Sequence, residues 1–124
     1  MSKVIESAGL SVRITPSVGG TVTEVLHKPT GLSVLGRVPW TAIEEPLAAP
    51  ARDESQWLTR YSGGWPLLFP SAGNASKVDG IYHGFHGEAS IMPWDVVNAR
   101  AYRLVLERQF AVIPAHMRRT ITVN

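Results

Sequence analysis

The first third of the chain alternates apolar and polar residues in short runs separated by turn residues. Residues 10–14 show the period-two pattern that is typical of a half-buried strand. Gly19 and Gly20 follow and predict a turn, because glycine adopts positive φ without steric cost. Residues 21–26 and 32–35 predict two further strands. Together these runs predict an antiparallel β-meander.

The middle third has no clear period. Residues 37–55 carry three prolines and four acidic residues, and they predict a long surface loop with one helical turn near residues 42–45. Residues 56–61 predict a strand. Residues 71–80 consist of residues that favour turns and predict a polar loop.

The last third again has the pattern of a β structure. Residues 89–97 are rich in large apolar side chains, residues 101–110 alternate, and residues 117–123 alternate between apolar residues and threonines or arginines. No segment keeps a helical period over about twelve residues. The chain is therefore predicted to be all-β, with long loops, of the sandwich or barrel type.

Composition limits the classes of function. With 44% hydrophobic and 18% charged residues, the 124-residue chain can form a core, and wholesale disorder is excluded. A formal charge of +2 gives no argument for nucleic acid or a membrane surface as partner, and no apolar stretch reaches the roughly 20 residues of a membrane span. The absence of cysteine excludes disulfides and thiolate chemistry. The N-terminal residues lack the apolar stretch of a secretory signal, so we expect a cytoplasmic protein.

Candidate chemistry concentrates in residues 60–94, and three interpretations stay open. In the first, His83 and His86 are loop residues satisfied by backbone hydrogen bonds, and the nearby tryptophans are core. In the second, His83, His86 and Glu88 ligate a metal ion, although on a strand the two histidines would point to opposite faces. In the third, one imidazole acts as an acid or base near neutral pH, which requires less of the geometry.

Several short motifs resemble the aldose 1-epimerase (galactose mutarotase-like) superfamily. They are the string GGWPLLFP at residues 63–70, a polar loop containing Asn74, and the pair His86-Gly87 with Trp94 eight positions after the histidine. The similarity is greatest to the branch that includes hexose-6-phosphate mutarotases. The double glycine at residues 19–20 and the stretch 25–31 resemble the opening hairpin of that family. The resemblance extends from about residue 16 to the C-terminus.

The resemblance implies a fold and a reaction. The family fold is a large antiparallel β-sandwich, and the reaction interconverts the α and β anomers of an aldose. A histidine acts as general acid on the ring oxygen and a glutamate as general base on the anomeric hydroxyl, so that the ring opens and closes again from the other face. This chemistry requires no metal and no organic cofactor.

The resemblance also assigns candidate site residues. The catalytic histidine falls on His86; His83 lies eleven positions before Trp94 and is the second choice, kept as a substrate contact. The family arginine before the double glycine falls on Arg60. The polar loop and the glycine-rich motif add Asn74 and Trp65 as substrate contacts, the latter because an indole can stack on a sugar ring.

The chain also departs from the family pattern. No arginine follows the His86-Gly87 pair, which argues against a phosphorylated substrate. The second histidine and the late glutamate of the family are not found, so residues 1–124 are interpreted as a partial domain, the N-terminal half of a mutarotase-like sandwich.

The sequence thus predicts a mutarotase-like isomerase that acts on a small sugar. We expect its active site to be incomplete in this chain. A non-catalytic carbohydrate-binding β-sandwich and a cupin-like metal protein are the alternatives. We expect no nucleic-acid or membrane partner, and we expect self-association through exposed strand edges.

Overall fold

The computed structural model describes all 124 residues, Met1–Asn124. It contains nine strands, one short α-helix and one 3₁₀ turn at Glu88–Ser90, and none of its helices is long and apolar enough to cross a bilayer. The elements in chain order are β1 (Lys3–Glu6), β2 (Leu10–Thr15), β3 (Thr21–His27), β4 (Leu32–Ser33), α1 (Glu54–Leu58), β5 (Ser76–Val78), β6 (Ile81–His83), β7 (Asp95–Arg100), β8 (Arg103–Gln109) and β9 (His116–Thr122).

The first four strands form one antiparallel sheet in the order β1-β2-β3-β4. The turn between β2 and β3 contains Gly19 and Gly20, whose φ angles are 71° and 56°. Val12 and Ile14 of β2 are buried, while their neighbours on the strand are only partly covered. The predicted meander is therefore present, and its alternating residues direct one face into the core.

The last three strands form a second antiparallel sheet in the order β7-β8-β9. Leu104 and Leu106 of β8 are fully buried on one face of this sheet. The two sheets pack face to face over a core of ten buried residues: Ile5, Val12, Ile14, Val22, Ala89, Trp94, Leu104, Leu106, Phe110 and Val123. The prediction of an all-β antiparallel sandwich is confirmed.

Arg119 on β9 ties the second sheet to the first. Its Nη1 donates to the carbonyl oxygen of Gly20 at 2.7 Å, and its guanidinium lies 5.5 Å from the centre of the Trp94 ring. Burial lowers the pKa of the Arg119 guanidinium from its ordinary value, because desolvation disfavours the charged form. The carbonyl and the indole face compensate part of that cost.

The segments between the sheets differ from the sequence predictions at several points. The predicted strand at residues 56–61 is wrong, because α1 begins at Glu54 with Asp53 as its N-cap. No helical turn forms at residues 42–45, because Pro46 follows directly and disfavours the helical conformation in the residue before it. The strand predicted from residue 89 starts only at Asp95, since a 3₁₀ turn occupies the preceding residues.

A small hairpin replaces part of the predicted polar loop at residues 71–80. Strands β5 and β6 pair antiparallel across Asp79 and Gly80, whose φ angles of 49° and 78° are both positive. Positive φ at both central residues is typical of the tight turns that match strand twist. His83 ends this hairpin, and the backbone N–H of Phe85 that follows donates to the carbonyl oxygen of Ala51, which ties the histidine segment to the long loop.

Candidate functional site

His86 sits on a strained turn just before the 3₁₀ turn. Its φ of 59° lies in the left-handed region, and its backbone N–H donates to the carbonyl oxygen of Gly73 at 3.0 Å. Gly87 follows with a φ of 77°, and a Cβ at that position would lie 2.2 Å from the carbonyl oxygen of Phe69. The turn can therefore pack against the GGWPLLFP segment only because residue 87 has no side chain.

The imidazole of His86 packs among aromatic rings. Its centroid lies 3.9 Å from that of Phe85 and 4.8 Å from that of Trp57, with the Trp57 ring nearly perpendicular. Nδ1 is buried without a hydrogen-bond partner, whereas Nε2 is not buried in this way. The ring thus has one nitrogen enclosed and one that is not, and His86 is not among the residues that line the cavity beside Arg60.

Glu88 is committed to a structural ion pair. Its side chain is 2% exposed and accepts from Arg108 through Nε at 2.9 Å and through Nη2. It also accepts from the backbone N–H groups of Ala111 and Val112, each at 2.8 Å. Four donors therefore hold this carboxylate, which leaves it unsuited to serve as a base or a metal ligand.

His83 lies at the end of β6, opposite Ser76 of β5, and its Nδ1 is also buried without a partner. His83, His86 and Glu88 do not form a group of metal-ligating side chains. The metal site of the cupin-like interpretation does not form here, because the carboxylate that it needs is bound by Arg108 and two backbone amides.

Arg60 lines a cavity of about 260 Å³ between β3, the loop at residues 37–44 and the segment that follows α1. Its Nε donates to the carbonyl oxygen of Glu45 at 3.0 Å, and its Nη1 donates to Oγ1 of Thr59 at 2.9 Å. The wall combines hydroxyl, charged and aromatic side chains with apolar ones. The first set is Thr15, Thr21, Thr23, Arg37, Trp40, Thr41, Glu44, Trp57, Arg60, Tyr61, Ser62 and Ser90, and the apolar set is Val18, Val38, Ala42, Ile43, Pro66 and Ile91. Such a mixture suits a small polar ligand with several hydroxyl groups.

Trp57 forms the wall between this cavity and His86. It lines the cavity, contacts the imidazole edge-on, and stacks on Tyr61 with centroids 4.8 Å apart. For Trp57 the sequence allows core packing or sugar stacking, and the residue is 5% exposed. Its contact with His86 was not indicated, since the two residues lie far apart in the sequence and no local period encodes the contact.

The other predicted contacts are spread out. Trp65 pairs with Val22 through its backbone, and its side chain is 67% exposed and does not line the cavity. Asn74 is exposed and follows Gly73, the residue whose carbonyl oxygen accepts from His86. The structure thus brings the loop of Asn74 to His86 and places Arg60 at the cavity, while Trp65 is on the outer surface.

Three solved structures have a similar fold. A galactose mutarotase related enzyme from Lactobacillus acidophilus matches with a TM-score of 0.70 and 19% identity, over 100% of this chain and 39% of that chain. A galactose mutarotase-like protein from Lactobacillus casei matches with a TM-score of 0.59 and 17% identity, over 87% of this chain and 32% of that chain. A protein from Synechocystis matches with a TM-score of 0.59 and 22% identity, over 87% of this chain and 36% of that chain.

Neither a protein-family model nor a curated protein sequence matches the chain. The chain spans about a third of the length of the solved structures that it resembles. The chain therefore has the antiparallel β-sandwich fold of galactose mutarotase-like proteins, over part of their length.

Proposed function

We propose that this chain contributes the general-acid side of a mutarotase-like active site that interconverts the anomers of an aldose. His86 is the acid that protonates the ring oxygen, acting through Nε2. The observation that carries the proposal is the half-buried imidazole of His86, with one nitrogen enclosed and the other unburied, on a fold shared with galactose mutarotase-like proteins. An imidazole is suited to this role because its pKa is close to neutrality in the free amino acid.

The partial-domain interpretation of residues 1–124 belongs to the same proposal. The resembling structures are about two and a half times as long as this chain, so the proposal places the general base and the rest of the sugar cleft outside residues 1–124. Glu88 does not replace the base, since Arg108 and two backbone amides hold it.

Polarimetry tests the proposal. Freshly dissolved α-glucose and α-galactose are followed with the chain and with the full product of its gene, and we expect faster mutarotation with the full product. Replacing His86 by Asn removes the proton donor and is expected to reduce the rate by about 10²-fold or more. His83→Asn is the matched control and is expected to retain most of the rate. No acceleration over buffer for any aldose, or equal losses in the two variants, would contradict the proposal.

The second candidate is a non-catalytic sugar-binding protein, and the cavity beside Arg60 favours it. Trp40 lines this cavity while 45% exposed, which leaves part of its ring free to stack on a sugar. For this function we expect sugars to quench tryptophan fluorescence without changing their mutarotation rate. Trp40→Phe is expected to remove most of that quenching, and a response that stays the same would count against this candidate.

A further inference from the structure

No hydrogen bond sets the orientation of the His86 ring. Imidazoles at functional sites are normally held by a hydrogen bond to one ring nitrogen, which also fixes the tautomer. Nδ1 of His86 is buried, yet it has no such partner. The ring is held instead by its packing against Phe85 and Trp57. Phe85 is the neighbouring residue in the chain, so Trp57 is the contact that comes from another element.

Trp57 is itself fixed by a hydrogen bond and by stacking. Its indole N–H donates to Oγ of Ser90 at 2.8 Å, and its ring stacks on Tyr61. An indole N–H that is buried normally requires such an acceptor. Loss of the Ser90 hydroxyl would therefore leave the N–H of Trp57 unsatisfied and free the ring to shift.

Ser90 connects the indole to the backbone of the histidine turn. Its hydroxyl accepts from Trp57 and donates to the carbonyl oxygen of Gly87 at 3.0 Å. Gly87 directly follows His86, whose left-handed backbone conformation persists only when its surroundings hold it there. The backbone and the ring of His86 are thus linked to the same indole, by the Ser90 bridge and by direct contact.

We propose that Trp57 and Ser90 are positioning residues for His86. Trp57 orients the imidazole by ring contact, and Ser90 couples the indole N–H to the turn that carries the histidine. Both residues also line the cavity beside Arg60, so a ligand there touches the indole that orients the imidazole. This inference rests on the proposed function for the importance of His86, but its test needs no sugar turnover.

The test uses the full chain with labelled histidine and long-range proton–nitrogen spectra of the imidazoles at a fixed neutral pH. Trp57→Phe removes the N–H and keeps an aromatic ring, and Ser90→Ala removes the bridging hydroxyl. We expect both variants to shift the ring-nitrogen signals of His86. The matched control is Trp40→Phe, which also alters the cavity wall and is expected to leave those signals unchanged. The signals of His27, whose Nδ1 is hydrogen-bonded to Oγ1 of Thr30 in the turn between β3 and β4, serve as the internal reference.

The two variants and their combination also form a double-mutant cycle. If Trp57 and Ser90 act through one bridge, the double variant shifts the His86 signals no further than the larger single change does. Additive shifts in the double variant would overturn the inference. So would Trp57→Phe and Ser90→Ala proteins that melt cooperatively but have the same His86 signals as Trp40→Phe. Should Ser90→Ala fail to fold, Trp57→Phe decides alone. If polarimetry shows no acceleration while the variants still shift the His86 signals, the proposed function is overturned and the inference about positioning is retained.

Discussion

Gly87 and Gly80 have nearly the same φ angle, 77° and 78°, but Gly87 combines it with a ψ of 166°, a region that is essentially restricted to glycine. A Cβ at Gly87 would lie 2.2 Å from the carbonyl oxygen of Phe69, whereas a Cβ at Gly80 would meet nothing within 4 Å. The pair therefore contrasts a positive φ in open space with a glycine-only conformation in contact with other backbone. That contact arises where the turn of His86 packs against Phe69.

Gly87→Ala is predicted to destabilise the protein more than Gly80→Ala does. The alanine at residue 80 incurs only the left-handed penalty of about 1–2 kcal/mol. At residue 87 the alanine would have to adopt a conformation that is essentially restricted to glycine, and its Cβ would also clash with backbone atoms, which cannot move as a flexible side chain can. Urea unfolding of the two variants measures the difference, and equal losses in the free energy of unfolding would show that the turn packs less tightly than described.

Short-range motifs suggested some of the candidate site residues, which stay predictions. His86 and Arg60 were proposed from their spacing to Trp94 and to the double glycine, which is local information. Trp57 and Ser90 meet across 33 residues, and the partners of Glu88 lie 20 to 24 residues away. Such contacts are decided by the packing of separate elements, and therefore no local pattern indicated them.

At the scale of elements, α1 is a single helical turn, too short for a helical period to be visible. Its signal lies in the cap, since Oδ1 of Asp53 accepts from the backbone N–H of Gln56 at 2.8 Å. Oε1 of Gln56 in turn accepts from the backbone N–H of Arg52 at 2.8 Å. This reciprocal arrangement resembles a capping box, and the Asp-x-x-Gln spacing is its trace in the sequence. The strands, by contrast, were predictable because their alternation continues over five to seven residues.

Asp53→Ala is predicted to reduce the free energy of unfolding by about 1 kcal/mol, because the first turn of α1 loses its side-chain acceptor. Asp53→Asn keeps an oxygen at the same place and is expected to retain most of the stability. Chemical denaturation monitored by tryptophan fluorescence is a suitable measurement, since Trp57 lies on this helix. An alanine variant as stable as the asparagine variant would mean that the cap does not stabilise the helix.

At the scale of the whole molecule, apolar residues form two clusters. The larger fills the sandwich, and the smaller lies beneath the loops next to His86 and consists of Val18, Ala51, Trp57, Phe85 and Ile91. The first cluster follows from alternation along the strands, and for this reason the sandwich was predictable. The second is built from loop residues and one helical turn, which have no common period. Self-association through the free edges, such as that of β7, stays a prediction.

Leu104→Ala is predicted to reduce the free energy of unfolding by about 2–5 kcal/mol, because it opens a cavity where the two sheets meet. That loss is a large share of the roughly 5–15 kcal/mol that stabilises a typical domain. Leu32→Ala is the matched control, since Leu32 is 61% exposed and Leu104 is fully buried. Thermal melts of both variants at equal protein concentration measure the effect. Similar melting temperatures for the two would contradict a shared core.

The bond between Arg119 and the carbonyl oxygen of Gly20 joins residues 99 positions apart, and this has a consequence for synthesis on the ribosome. The first sheet can pair its strands as soon as residue 33 has emerged, but β8 and β9, which cover it, lie much later in the sequence. During translation the apolar side chains of Val12 and Ile14 therefore stay uncovered until β9 has emerged. We expect the nascent protein to depend on chaperones during that interval.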